Sequence, residues 1–125
     1  METVLIDTNI IIGRIRNEAR AMAALERASG STLVLCDAVV AEVLAGTRNK
    51  AEYDATFREL NRNFHVLPFT MEVSQHFRHI LAHVARDKGV HFADYLIAAT
   101  AIAHDAALLT LNQKHFSPIV GLRLM

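Results

Sequence analysis

The stretch VLIDTNIII, residues 4–12, interrupts a run of apolar side chains with a single acid, Asp7. The three residues before this acid predict a short buried strand, and Thr8 and Asn9 after it are typical of the start of a helix. An ionised carboxylate taken out of water costs free energy unless it finds a partner or a proton. We therefore expect Asp7 either to cap the following helix or to belong to a functional site.

Strands and helices alternate along almost the whole chain. Strands are predicted over residues 4–6, 32–36, 64–67 and 107–110, with a fifth over residues 120–124. The second of them lacks polar and apolar alternation, which is typical of burial on both faces of a parallel sheet. The chain therefore predicts a three-layer α/β/α domain with a central parallel sheet of four to five strands. At 125 residues and 52% hydrophobic composition, we expect a single domain over residues 1–125.

Two of the predicted helices carry an apolar stripe at helical spacing. A helix over residues 51–63 is predicted to turn four apolar residues towards the core. These residues are Tyr53, Phe57, Leu60 and Phe64. A longer helix is predicted to begin after a cap at Thr70 and to continue to about residue 88.

Composition limits the classes of function. Thirteen basic residues balance thirteen acidic ones, so the chain as a whole gives no electrostatic indication of nucleic-acid or membrane binding. Cys36 is the only cysteine and has no partner in the chain for a disulfide, which agrees with a reducing compartment. The N-terminus lacks a basic leader, and no apolar run approaches the length of a membrane span. We expect a soluble, cytoplasmic protein that does not bind membranes.

Four oxygen-bearing side chains come from separate segments that a parallel sheet could bring to the carboxyl ends of its strands, where ligands bind in open α/β sheets. They are Asp7, Glu42, Asp94 and Asn112. Three carboxylates at one edge would repel each other unless a cation stabilised them, and oxygen ligands suit Mg²⁺ or Mn²⁺. Each residue alone also has a simpler explanation: a helix cap, an exposed helix position, an attraction to a helix dipole, or a turn.

Four segments of the chain resemble the PIN-domain ribonucleases, and in particular the VapC-type toxins of bacterial toxin–antitoxin pairs. In order they are LIDTNIII, VVAEVLAG, FADYLIAATA and LLTLNQKHF, so the resemblance covers essentially the whole chain. It implies that three acids are metal ligands and catalytic residues, namely Asp7, Glu42 and Asp94. It also implies that Asn112 occupies the fourth site position, with Asn9 and Thr110 in supporting roles.

The resemblance implies an Mg²⁺- or Mn²⁺-dependent endoribonuclease that hydrolyses RNA phosphodiester bonds with water as the nucleophile. It further implies that the protein is a toxin, with a homodimeric state and an antitoxin partner that covers the site. One departure concerns His115, which stands where relatives often carry a further acid. The number of metal ions, one or two, is therefore left open.

Other functions remain as alternatives. An aspartyl-phosphate phosphatase would need a second acid where the chain has Asn9, and the five glycines form no dinucleotide-binding turn. A PIN-like binding module without activity is the main alternative from another class. It gives no electrostatic reason for three carboxylates to be kept together.

Two further groups of residues are candidates for weaker hypotheses. Three histidines share one face of the helix after Thr70 and suggest zinc binding: His76, His79 and His83. Solvent exposure opposite the apolar stripe explains them better. Four basic residues are candidates for contacts to RNA phosphates, with ordinary surface positions as the alternative: Arg14, Arg16, Arg48 and Lys50.

Overall fold

The computed structural model describes residues 1–84 and 92–125. The strands are β1 (Thr3–Ile6), β2 (Thr32–Cys36), β3 (His65–Leu67) and β4 (Ala107–Leu109). The helices are α1 (Thr8–Ile15), α2 (Ala19–Arg27), α3 (Asp37–Ala45), α4 (Lys50–Asn63), α5 (Met71–His83), α6 (Phe92–Ala103) and α7 (Gln113–Phe116).

The four strands form one parallel sheet in the order β3-β2-β1-β4. In the centre, Leu5 of β1 pairs with Val34 of β2 and with Leu108 of β4. Helices flank the sheet, which confirms the predicted α/β/α class. Because all strands run the same way, their carboxyl ends meet at one edge, and the segments after β1 and β4 are neighbours there.

The centre of the sheet is built from the apolar run at residues 4–6 and the strand beside it. Val4, Leu5 and Ile6 have no exposed surface, and Leu108 and Leu109 beside them are equally buried. The helix α6 packs against α5, α3 and β4, which accounts for its apolar composition on most faces. In the described part of the chain, no helix is both long enough and apolar enough to cross a membrane.

The predicted core stripe of α4 is only half correct. Leu60 and Phe64 are buried, but Tyr53 and Phe57 keep 39% and 43% of their surface exposed. Their rings stack on each other at a centroid distance of 6.2 Å, and the Lys50 ammonium lies 5.4 Å from the centre of the Tyr53 ring. Helical spacing identifies an apolar stripe correctly, but it does not tell how far the neighbouring layer extends along that stripe.

Two predicted boundaries also differ. Helix α5 begins after Thr70 as predicted, but ends at His83, because Val84 adopts an extended conformation with φ −84° and ψ 130°. The predicted end near residue 88 lies outside the described residues. The predicted fifth strand is reduced to a single bridge between Leu108 and Leu124. Gly121, at φ 89°, turns the chain within that segment, so only its last residues run beside β4.

Candidate active site

Asp7 lies at the carboxyl end of β1, between that strand and α1. Its backbone N–H donates to the Leu109 carbonyl at 2.9 Å, which continues the pairing of β1 with β4. One side-chain oxygen accepts from the Thr8 N–H at 2.8 Å, and the other accepts from the Thr110 hydroxyl at 2.7 Å. The carboxylate therefore caps α1 and also joins two strands. The two explanations of Asp7 offered by the sequence are compatible.

The electrostatic environment of Asp7 is unfavourable for its negative charge. Burial, with only 5% of the residue exposed, raises the pKa of this carboxyl above its usual 3.8. The hydrogen bonds from Thr110 and Thr8 lower the pKa, and the negative charges of Asp94 and Glu42 raise it. The net direction is upward. Since both other acids act on Asp7, the three predicted carboxylates share one electrostatic neighbourhood.

Glu42 reaches this neighbourhood from α3. The residue is exposed, and its Oε1 accepts a hydrogen bond from the Thr8 hydroxyl at 2.6 Å. Thr8 directly follows Asp7 and donates its backbone N–H to the Asp7 carboxylate. One threonine therefore connects two of the predicted acids.

Asp94 lies in the first turn of α6, and its side chain is 18% exposed. One of its carboxylate oxygens lies 3.9 Å from Nδ1 of His115, which belongs to α7. The position that departs from the family pattern is thus next to a predicted metal ligand. A histidine there adds a positive charge beside Asp94 when its ring is protonated, where an acid would add a negative one.

The turn after β4 is held by the supporting residues. Oδ1 of Asn9 accepts from the Leu111 N–H at 3.4 Å. The Thr110 hydroxyl, which donates to Asp7, also accepts from the Asn112 N–H at 3.0 Å. Asn112 is exposed and precedes α7, so its backbone contacts this network while its side chain makes no cap to that helix. Asn9 and Thr110 together fix the turn against the start of α1.

The acids suit a hard divalent cation in ligand type and in charge. They supply carboxylate oxygens from α3, from α6 and from the residue between β1 and α1, and a cation would offset the burial and like-charge repulsion that raise the pKa of Asp7. Within residues 1–84 and 92–125, no three His, Cys, Asp or Glu side chains are already close enough together to hold a metal ion. The site would therefore have to draw its carboxylates inwards when it binds one.

Most of the other candidates lie in different surroundings. The Arg14 guanidinium lies 5.5 Å from the centre of the Phe64 ring, and Arg48 and Lys50 form ion pairs within α4 or at its start, at 3.3 Å and 2.9 Å. Arg16 lines a cleft between α1, α3 and α4.

The three histidines of α5 lie close to one another or to an acid. The rings of His79 and His83 lie 4.2 Å apart, and His76 lies 3.8 Å from Glu72. These three histidines do not form a group that could hold a metal.

Thr8 makes a contact at the candidate site that the sequence did not reveal, since its position in the sequence indicated only capping. The bond from its hydroxyl to Glu42 joins residues 34 positions apart, and this pairing leaves no local pattern in the sequence. The only signal was the position of Thr8 between two signature residues, Asp7 and Asn9.

A parallel sheet between two layers of helices, with acids near the carboxyl ends of its strands, is the architecture of a PIN domain. Residues 4–119 match the PIN domain family, and the chain belongs to it. The chain is 34% identical over 119 residues to ribonuclease VapC19 of Mycobacterium tuberculosis, covering 90% of each chain. It is 33% identical over 128 residues to ribonuclease VapC1 of Rickettsia felis, covering 98% of this chain and 94% of that protein.

Solved structures show the same fold. The chain is similar to one in a DNA-bound VapBC complex from Salmonella typhimurium, with a TM-score of 0.81 at 23% identity, over 100% of this chain and 98% of that one. It is also similar to one in VapBC2 of Rickettsia felis bound to a fragment of its promoter, with a TM-score of 0.80 at 22% identity, over 98% and 97%.

Proposed function

We propose that the protein is an endoribonuclease that hydrolyses RNA phosphodiester bonds with Mg²⁺ or Mn²⁺, and that it is the toxin of a type II toxin–antitoxin pair. The observation that carries this proposal is the buried Asp7 carboxylate, whose pKa is raised by burial and by the charges of Asp94 and Glu42. A protein gains nothing in stability from such a cluster, so a charge-compensating ligand is its best explanation. The ribonuclease relatives support RNA as the substrate.

Asp7, Glu42 and Asp94 would hold the ion in this proposal. When bound, the ion would lower the pKa of the attacking water and would place positive charge beside the phosphoryl oxygens. Thr110 and Thr8 orient Asp7 and Glu42 by the hydrogen bonds already described. No side chain needs to form a bond to phosphorus, because water is the nucleophile.

The other members of the site keep the two loops at the sheet edge in register. Asn9 holds the turn after β4 through the Leu111 N–H, and this turn presents Asn112 at the surface. We place Asn112 at the fourth position of the site, where its exposed amide is available to substrate. The identity of the proton acceptor, Asp7 or Asp94, is left open in this proposal.

The solved complexes described as VapBC support a protein partner, and the homodimer rests on the family resemblance alone. A small antitoxin would bind the protein and cover the acidic edge, and the active form would be a homodimer in the cytoplasm. A PIN-like module that binds RNA or protein without cleaving it is the second candidate. The retained acids argue against this candidate, and the cleavage experiment decides between the two.

The test is incubation of the purified protein with total RNA in Mg²⁺, in Mn²⁺ and in chelator, together with two Asp→Asn variants. Asp94→Asn should reduce metal-dependent cleavage by more than about 100-fold. A residue that only hydrogen-bonds to a metal ligand typically costs about 10- to 100-fold when it is replaced, so a larger loss indicates a ligand. The fold of this variant should persist, and the metal-free protein should melt slightly higher because repulsion among the carboxylates is relieved.

Asp105→Asn is the matched control, because Asp105 is an exposed aspartate that pairs with Arg123 at 2.8 Å on the surface. This variant should cleave as the wild type does. Cleavage by Asp94→Asn at the wild-type rate would remove Asp94 from the site. No cleavage by the wild type in either ion would favour the binding module.

A further inference from the structure

An open groove adjoins the acidic edge. It has a volume of about 740 Å³ and lies between α2 and the segment that runs from the end of β4 into α7. The residues that characterise its lining are Arg20, Arg27, Thr110, Asn112, Lys114 and His115. We call it the α2–α7 groove. Among the described residues that line it, none is acidic.

The α2–α7 groove is continuous with the acidic site. Thr110 lines the groove and donates its hydroxyl to the Asp7 carboxylate at 2.7 Å. His115 also lines it, with its ring 3.9 Å from Asp94. Two residues of the groove lining therefore contact two of the three carboxylates directly.

The cations of the groove are available to a ligand. Arg20, Arg27 and Lys114 are exposed, and the ion pairs of the described part of the chain involve none of them. Arg20 and Arg27 are seven residues apart on α2, so they lie on the same face and about 10 Å apart along the helix axis. In contrast, Arg48 and Lys50 are already paired with acids.

We propose that the α2–α7 groove binds the RNA phosphates that flank the cleaved bond, with Arg20, Arg27 and Lys114 as the phosphate-binding residues. This inference rests on the proposed function. A polyanion that approaches three carboxylates meets repulsion, and a row of unpaired cations leading to them offsets it. Arginine suits this role because its planar guanidinium can bind two phosphate oxygens at once. The neutral net charge of the chain therefore conceals a local basic surface.

The direct test is fluorescence anisotropy with a labelled single-stranded RNA in chelator, where RNA binds but is not cleaved. The groove variant combines Arg20→Gln, Arg27→Gln and Lys114→Gln. Its affinity should fall by at least about 10-fold. A plot of log affinity against log salt concentration should become less steep by about 0.7 for each phosphate that the variant no longer neutralises.

The control variant combines Arg58→Gln, Arg62→Gln and Arg78→Gln, which removes the same charge from exposed positions outside the groove. The control should bind nearly as tightly as the wild type.

A second readout separates this inference from the proposed function. In the presence of metal, the groove variant should show a raised KM with kcat largely kept, because the acids are untouched. Weaker RNA binding by the groove variant would support the groove even if the wild type cleaved nothing, and that result would count against the endoribonuclease alone. Thermal midpoints verify folding, and Lys114→Gln alone provides a milder variant with the same expected direction.

Three results would overturn the inference. One is equal RNA affinity in the wild type and the groove variant. Another is an equal loss of affinity in the groove and control variants, because it would mean a diffuse attraction to charge. The third is tighter binding of a polyglutamate peptide than of RNA, abolished in the groove variant, because it would assign the groove to an acidic protein partner.

Discussion

At the scale of single residues, the Thr110 hydroxyl connects the strand edge to the acid that begins the site. It donates to Asp7 at 2.7 Å and accepts from the Asn112 N–H at 3.0 Å, and the residue is 2% exposed. A buried hydrogen bond to a charged group stabilises a protein by roughly 1.5–3 kcal/mol. Thr110 therefore supports both the stability of the sheet edge and the ionised form of Asp7.

Thr110→Val should reduce the free energy of unfolding by about 1.5–3 kcal/mol, because valine keeps the shape but forms neither hydrogen bond. Thr110→Ser, which keeps the hydroxyl, is the control and should be much less destabilised. The measurement is urea denaturation of the metal-free proteins. Equal stability of the valine and serine variants would show that the bond to Asp7 contributes nothing.

The destabilisation caused by Thr110→Val should also depend on pH. The folded-state pKa of Asp7 lies above 3.8, so ionisation of Asp7 destabilises the fold as the pH rises through that window. The Thr110 bond lowers this pKa, and its removal raises it further. The stability gap between wild type and Thr110→Val should therefore widen from acid towards neutral pH. A gap that stays constant would mean that the bond does not favour the charged form.

The sequence could locate the acids, but it could not locate the hydrogen bonds that threonines donate to them. Asp7 was identifiable because a charge inside a buried strand-to-helix segment needs a partner. The bonds of Thr8 to Glu42 and of Thr110 to Asp7 span 34 and 103 residues, and they depend on side-chain directions that only the packed sheet determines. The contact between His115 and Asp94 depends on the path of a short helix, α7, which the sequence pattern did not predict.

At the scale of elements, α1 and α2 approach each other closely at Gly13. A Cβ at Gly13 would collide with the Cβ of Ala21, which is fully buried. The absence of a side chain therefore allows α2 to lie against α1. Since α1 begins directly after Asp7 and α2 forms one wall of the basic groove, this contact positions both functional surfaces.

Gly13→Ala should destabilise the fold by about 1–3 kcal/mol, because the added methyl group must push two helices apart. Gly30→Ala is the matched control: a Cβ there meets no atom within 4 Å, and we expect little change. Thermal or urea unfolding measures both. A Gly13→Ala variant as stable as Gly30→Ala would mean that the two helices separate at no cost.

Sequence patterns predict the helices and strands only in part. Hydrophobic spacing predicted the parallel strands and most helices, because buried strands and amphipathic helices each have a periodicity of their own. It could not tell that Tyr53 and Phe57 stay 39% and 43% exposed, since an apolar stripe looks the same whether or not it is covered. The predicted fifth strand failed because Gly121 turns the chain, and the apolar residues around this glycine outweighed it in the prediction.

At the scale of the whole molecule, the chain separates its charges although their sum is zero. Carboxylates lie at the carboxyl edge of the sheet, unpaired cations line the groove beside them, and histidines occupy an outer face of α5. His79 and His83 interact with each other through their rings and a backbone carbonyl, at 4.2 Å and 2.9 Å. Among the hydrogen bonds and ion pairs of the described residues, those of the three histidines go to Glu72 and to the His79 carbonyl.

Replacing His76, His79 and His83 together by glutamine should therefore leave metal-dependent cleavage unchanged. Stability should change by less than about 0.5 kcal/mol for each position, as is usual at surfaces. Cleavage assays and metal analysis of the purified variant measure both effects. Loss of activity together with loss of bound zinc would show that these histidines form a metal site after all.

The proposed function makes Asp7 the central metal ligand of the site as well as a helix cap. Thermal unfolding with and without Mn²⁺, on the wild type, Asp7→Asn and Asp37→Asn, tests this role directly. Asparagine caps helices about as well as aspartate, so capping is preserved in the first variant. Asp37 follows β2 as Asp7 follows β1, but it is exposed and is not among the charges that act on Asp7, which makes it the control.

A ligand that binds only the folded state raises the melting temperature. Mn²⁺ should therefore stabilise the wild type and Asp37→Asn, and should leave Asp7→Asn almost unchanged. In the absence of metal, Asp7→Asn should melt at or above the wild-type temperature, because it removes a buried charge. Equal stabilisation of all three proteins by Mn²⁺ would contradict the proposed role, since Asp7 would then be a cap and the site would lose its central ligand.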